Sequence, residues 1–504
     1  MLSHSLDENI KLLEDLFADC GDFTHRKFPV GPNKDIWVYV AFIDMLVERA
    51  TLDNQIMDPL MVFSWQSPPK PETLNDNPLA ALIDSGVTTA DISQTVDLKA
   101  AADAILSGDT IVMSEGSAFA LLVSTKGWPS RGISETENEV AVQGAKDAFT
   151  ESFRMNTMLI RRRIKDTKLK CKQFELGTRT KSNVALMYLE DLVRPSVLSE
   201  TIKRIQNIDI DAVLDIGYIE QLTEDDWRSP FPLSQITERP DKASAAILEG
   251  RIVIVTDNSP FVMIVPATLN TFFQASEDYY QGWQIMSFVR ILRFFAGIMA
   301  VVLPGLYIAV AVYHPSMIPL LLLFKIAGAR QTVPFPALFE ILLMDLAFEL
   351  LREAGIRLPR PVGNAIGVVG GLIIGQSAVE AGLVSPFVLI VVAVTAIAGF
   401  AIPHIKLVNG FRLTKYFILF FSAVLGLLGF WIASLLVLVY LVALKSYGFP
   451  YLFPFVSGDV NGYSDMKDTI FRVPLFYMKK RPIFARPDDS ARIRTDKPDA
   501  AVKE

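Results

Sequence analysis

FFAGIMAVVLPGLYIAVAVY, residues 294–313, is twenty residues without a charge. At 1.5 Å per residue a helix of that length crosses a hydrocarbon core of about 30 Å. The surrounding composition divides in the same sense. The 504-residue chain is 51% hydrophobic with a mean hydropathy of +0.33, high for soluble domains. Of its 48 basic and 55 acidic residues, only 13 fall between Phe294 and Leu444. A solvated N-terminal region therefore precedes a lipid-embedded one.

Working forward from that span, Met317–Ala327 is short and carries Lys325, which suits an interfacial or re-entrant segment. Residues 333–351, 362–384 and 387–402 are further candidate spans, and 416–444 is a long charge-free run. Arg290 and Arg293 place the start of the first span in the cytoplasm. About five spans are expected. An odd number leaves the basic tail (Lys479, Lys480, Arg481, Arg486) outside; an even number brings it in and needs one more crossing or a re-entrant turn.

Working backward, residues 1 to about 285 read as α/β. ENIKLLEDLF (8–17) has helical spacing and WVYVAFID (37–44) reads as a buried strand. DTIVMSEGSAFALLVST (109–125) and RIVIVTDNSPFVMIVP (251–266) are hairpin signatures, each with turn residues between β-rich runs. Residues 138–170 and 195–208 look helical. The expected organisation is two cytosolic α/β subdomains, 1–170 and 171–288, an α-helical multi-span domain, 289–446, and a polar tail, 447–504. The N-terminus lacks a basic segment leading into an apolar one, so the N-terminal region is expected to stay cytoplasmic.

Several function classes are excluded. A net charge of −7 and a pI near 5.4 leave no electrostatic footprint for nucleic acid. Cys20 and Cys171 make no disulfide framework. The chain contains no G-x-x-x-x-G-K-[ST], G-x-S-x-G, H-E-x-x-H or paired C-x-x-C, and its four histidines are dispersed. No enzyme activity, metal or cofactor is expected.

The chemistry that remains is charge in apolar sequence. Glu340, Asp345 and Glu349 lie in PALFEILLMDLAFELLREAG, where each carboxylate is costly unless it faces water or a partner. Asp345 and Glu349 share a helix face, and Glu340 is displaced from it by about 140°. A water-filled cation pathway accounts for them. So does an amphipathic interfacial helix, or pairing with Lys325, Arg330 or Arg352. Glu380 is a weaker candidate of the same kind. Gly363, Gly367, Gly371 and Gly375 recur every four residues along one helix face, which suits either a pore-proximal or oligomer-contacting helix or ordinary close packing. In the N-terminal region, Arg161–Arg163 and the motif Glu238-Arg239-Pro240-Asp241 could hold an anion or serve as a solvated face or cap, and the second is taken as a structural motif.

Several long collinear stretches resemble the A subunit of the GerA-type spore germinant receptor family: NEVAVQGAKDAFTESFRMNTMLIRRRI (138–164), FPLSQITERPDKASAAILEGRIVIVTDNSPFVMIVP (231–266), SEDYY (276–280), residues 333–385, and SYGFPYLFPF (446–455). Ala145 and Ala148 stand where that family usually has Pro and Gly, and the first hundred residues match weakly. The resemblance implies a multi-pass protein of the spore inner membrane with a cytosolic N-terminal domain, membrane lipid around it, and transporter-like B and lipoprotein C subunits as partners. It implies a homo-oligomeric ring, a pentamer, that acts as a ligand-gated cation channel. Only the acidic helix and the glycine-striped helix carry over as pore or assembly candidates. The rival readings are an accessory ion channel resembling stage V sporulation protein AF and a secondary transporter. No inverted repeat of hydropathy supports the second.

Overall fold

The computed structural model describes residues 1–30, 36–63, 79, 91–127, 136, 139, 143–358, 370–371, 373–456, 466–486 and 491–492. The chain forms two compact units whose segments interleave: Met1–Glu224, Ser234–Pro266 and Lys479–Glu504 make the first, Asp225–Leu233 and Ala267–Met478 the second. The fold class is the expected one, an α/β region followed by a helical one.

The first unit is a tandem repeat. Helix α1 (Leu6–Leu16) precedes strands β1 (Phe23–Val30), β2 (Ile36–Ile43) and β3 (Ile92–Thr95), helix α2 (Leu98–Leu106), and strands β4 (Asp109–Ser114) and β5 (Ala120–Ser124). The second copy runs α3 (Phe153–Arg161), β6 (Leu169–Leu176), β7 (Ser182–Leu189), α4 (Pro195–Gln206), α5 (Ile216–Thr223), β8 (Gln235–Thr237), α6 (Pro240–Leu248), β9 (Ile252–Thr256) and β10 (Val262–Val265). The sheets have matching orders, β1-β2-β4-β5-β3 and β6-β7-β9-β10-β8, and every pairing is antiparallel. Both expected hairpins form, as β4–β5 and β9–β10. Of the expected helix over 138–170, the described residues form only α3. Lys170 already lies in β6.

Local chemistry repeats as well. Ala104-Ile105-Leu106-Ser107-Gly108 and Ala246-Ile247-Leu248-Glu249-Gly250 close α2 and α6, with glycine φ of 93° and 87°. That left-handed conformation is where glycine ends a helix without strain. In the first copy the residues after β5 return to the centre of the sheet: Lys126 bridges Val47, and the Gly127 N–H donates to Leu46 O at 3.3 Å. In the second copy the C-terminal tail does this. Ala485 bridges Val193, the Arg486 N–H donates to Leu192 O at 2.8 Å, and Ala485 passes so close to Gly250 that a Cβ there would lie 2.6 Å from its Cα.

One apolar core runs through both copies, from Leu6 and Ile105 to Met187 and Val253. Buried at its centre, the Arg161 guanidinium makes a two-bond fork to Asp22, both contacts 2.8 Å, and a third bond to Leu169 O. Arg162 and Arg163 pair with Asp147, so all three arginines bind carboxylates of the chain itself. Cys20 and Cys171 lie beside the Arg161 pair, and burial raises both thiols above their ordinary range, which leaves them protonated and inert at neutral pH. Arg161→Ala leaves Asp22 buried without its partner. Urea unfolding of the variant is expected to show a loss of about 3–5 kcal/mol, against under about 1 kcal/mol for exposed Arg179→Ala.

The second unit is helical: α7 (Trp283–Ile308), continued by a wider turn over Ala309–Tyr313, then α8 (Leu320–Arg330), α9 (Ala337–Arg357), α10 (Pro386–Phe400) and α11 (Ile405–Ala443). Trp283–Tyr313 and Ile405–Ala443 are long and apolar enough to cross a membrane. The run expected to begin at 362 lies largely outside the described residues. α11 is broken at Gly426, where φ is 62° and ψ −137°. Phe231 lies 6.2 Å from Phe411 and 6.3 Å from Tyr440 between ring centroids. An unbroken helix would hold residues 411 and 440 about 43 Å apart. α11 is therefore a hairpin of two antiparallel arms, 405–425 and 427–443. Its tip meets the end of α7: the Tyr313 ring packs on Gly426, and its hydroxyl donates to Ala423 O. The chain thus enters and leaves the helical bundle at one end.

Candidate functional site

The acidic helix α9 is held by ion pairs on two sides. Glu340, in its first turn, is fully buried. The Ser385 backbone N–H donates to it at 2.8 Å, and the Arg330 guanidinium stands 3.5 Å away. Ser385 caps α10, its hydroxyl accepting from the Val388 N–H. The Glu340 carboxylate therefore sits against the positive ends of two helices and a cation, a setting that offsets its burial.

One face round, Asp345 and Glu349 both reach α11. Lys415 donates to Asp345 at 2.5 Å, and Arg352 and Arg412 approach Glu349 at 2.8 and 3.4 Å. These five side chains line a cavity of about 100 Å³ whose other walls, from α7, α9, α10 and α11, are apolar except for Thr395. Pairing thus accounts for Glu340, Asp345 and Glu349 in this conformation. Glu380 is exposed and accepts from Gln376 at 2.9 Å.

Of the glycine stripe, Gly363 and Gly367 lie outside the described residues. Gly375 packs against Leu389 of α10, where an added Cβ would be 3.3 Å from its side chain, and Gly371 is loosely placed beside Phe348. Tighter small-residue contacts are on α7: a Cβ at Gly305 would come within 2.9 Å of Ile418 and Ser422, and one at Gly297 within 2.9 Å of Phe273.

The motif 238–241 organises the first unit. Glu238 accepts from the Glu139 N–H at 2.7 Å. Arg239 forks to Asp241 and donates to the carbonyls of Glu139 and Ala145 at 3.0 and 2.9 Å, and Pro240 opens α6. Its charges and backbone pin Glu139, Ala145 and Phe149 to the second sheet.

The family model for the Bacillus/Clostridium GerA spore germination protein matches residues 11–484. The chain belongs to the GerA family. Its relatives include spore germination protein KA of Bacillus subtilis (strain 168), 37% identical over 493 residues and covering 98% of this chain and 89% of the relative. Spore germination protein B1 of the same organism is 38% identical over 493 residues, covering 98% and 100%. An uncharacterized membrane protein of that organism, YfkQ, is 36% identical over 484 residues, covering 95% and 91%. Among solved structures, the N-terminal domain of the A subunit of the Bacillus megaterium spore germinant receptor GerK3 is 32% identical, covers 53% of this chain and 97% of that one, and has a TM-score of 0.41.

In this GerA chain, sequence reading missed the charges that matter most to the second unit. Lys415 and Arg412 lie some 60 to 70 residues after the carboxylates they neutralise. A second knot forms at the start of α7: buried Arg290 donates to Asp278 at 3.0 Å and to Asp468 at 2.7 Å, while Arg293 donates to Asp278 at 2.7 Å. Beside it, the Ser287 hydroxyl donates to Arg472 O at 2.9 Å and the Tyr279 hydroxyl to Asp468 at 2.6 Å. The positive-inside reading uses Arg290 and Arg293 for topology alone. The available signal was a pair of arginines on adjoining turns beside an acidic SEDYY.

Proposed function

We propose that this chain is the A-type membrane subunit of a nutrient-responsive spore germinant receptor. It works with B and C subunits in the spore inner membrane, with its N-terminal unit on the cytoplasmic side, and five copies form a ring that opens to monovalent cations. The observation that supports this most is family membership over residues 11–484, together with relatives named as spore germination proteins that align over nearly their whole length. The two arms of α11 and the span starting at Trp283 fit a membrane-embedded bundle with both chain ends on one side. This reading takes an even number of crossings in place of five.

Gating then follows from charge. With Asp345 and Glu349 paired, the acidic face of α9 has no carboxylate free for a passing cation. Opening means drawing the 412–415 turn of α11 off α9. Nutrient bound at a partner favours that state only by as much as it binds it more tightly.

The test is potassium release from dormant spores lacking this gene, exposed in turn to amino acids, sugars and nucleosides. Loss of release for one nutrient class is the expected result. Uniform slowing across all classes would replace the receptor reading with the accessory amplifier, and unchanged release for every nutrient would overturn both.

A further inference from the structure

The cavity between α9, α10 and α11 carries more positive than negative charge. Arg352, Arg412 and Lys415 face it with Asp345 and Glu349, so among the described residues lining it one cation has no counter-charge. The helix ends do not remove the excess. The negative C-terminus of α10, at Gly399 and Phe400, lines the cavity together with Val408 in the first turn of α11, whose positive N-terminus opposes it. Lys415 is buried and its ammonium has three donors, of which Asp345 takes one. The excess falls on Arg352 and Arg412, which share the single carboxylate of Glu349 and are 31% and 23% exposed, and a half-buried charge excess of this kind attracts a counter-ion.

From this excess and the space beside it we infer that the cavity is a binding site for a small monovalent anion, chloride or a short carboxylate. At about 30 Å³ per water, 100 Å³ holds an ion with one or two waters, or a carboxylate of a few heavy atoms. One negative charge brings the balance to zero, whereas a divalent ion overshoots it. The site holds this paired conformation together, because the anion neutralises the cations that the carboxylates leave over. The inference rests on the cavity and its charges and is independent of the channel reading.

Chloride NMR line broadening on the purified full chain in detergent tests it. The wild type is expected to give saturable excess broadening that acetate displaces and equimolar sulfate does not. The stronger of chloride and acetate identifies the ligand class. Arg412→Gln removes the excess charge and is expected to weaken binding on the order of tenfold or more, while Glu349→Gln adds to the excess and strengthens it. Arg357→Gln, exposed and paired with Glu353 on the same helix, leaves it unchanged. Should Arg412→Gln fail to fold, the gain in Glu349→Gln and the acetate competition still decide. Absence of saturable broadening in the wild type, equal binding in folded Arg412→Gln, or weaker binding in Glu349→Gln would each overturn the site.

Discussion

Arg290→Ala is expected to cost about 3–5 kcal/mol in the denaturant unfolding of the full chain in detergent. The side chain is fully buried, and its loss strips partners from Asp278, also fully buried, and from Asp468. Arg293 still holds one oxygen of Asp278, and the Tyr279 hydroxyl one of Asp468. The remaining Asp278 oxygen stays buried with only the Ala275 N–H and no cation, while Asp468, partly exposed, can turn to water, so the Asp278 side of the knot carries most of the cost of breaking a buried pair. Arg290→Lys keeps the charge but loses the fork that reaches both carboxylates, so it should recover only part of the loss. A change under about 1 kcal/mol in Arg290→Ala would mean the knot is incidental to the fold.

The second large effect concerns Lys415 and Asp345. Lys415→Ala leaves Asp345 buried and unpaired, with an expected loss of about 3–5 kcal/mol. The double variant Asp345→Asn/Lys415→Gln removes both charges and should be much the milder. The coupling between the two sites is expected to exceed about 2 kcal/mol, and additive losses would show that the contact contributes nothing. In the proposed channel the same residues would face the cation. Neutralising Asp345 and Glu349 together is expected to lower cation flux through the reconstituted chain, and unchanged flux would take both out of the pathway.

What the sequence made visible was period and composition. The hairpins at 109–125 and 251–266 stood out because short β-branched runs flank turn residues, and α9 stood out because carboxylates interrupt apolar sequence. Partners were hidden. Nothing local to Asp345 points to Lys415, and Glu340 is held partly by the backbone of Ser385, which leaves no residue-type signal. The reversal of α11 was hidden too, because Gly426 is one of two glycines, with Gly429, in the unbroken apolar run 416–444. The tandem repeat left short traces, the pentapeptides 104–108 and 246–250 and the Leu-Val pairs 46–47 and 192–193. The two motifs that begin α2 and α6 have diverged: Asp97 caps the first, while Arg239 and Pro240 open the second.

The docking of residues 483–486 into the second copy sets an order on biosynthesis. Val265 ends that copy's own strands, yet Ala485, which bridges Val193, is made 220 residues later. At roughly 5–20 residues per second the ribosome reaches it on the order of 10–40 s afterwards. Throughout that interval Val193 lacks its bridge to the tail, and the helical bundle emerges in the meantime. The nascent chain thus holds the second copy without its tail contact while the helical bundle is made, and residues 483–486 complete that copy only after the bundle.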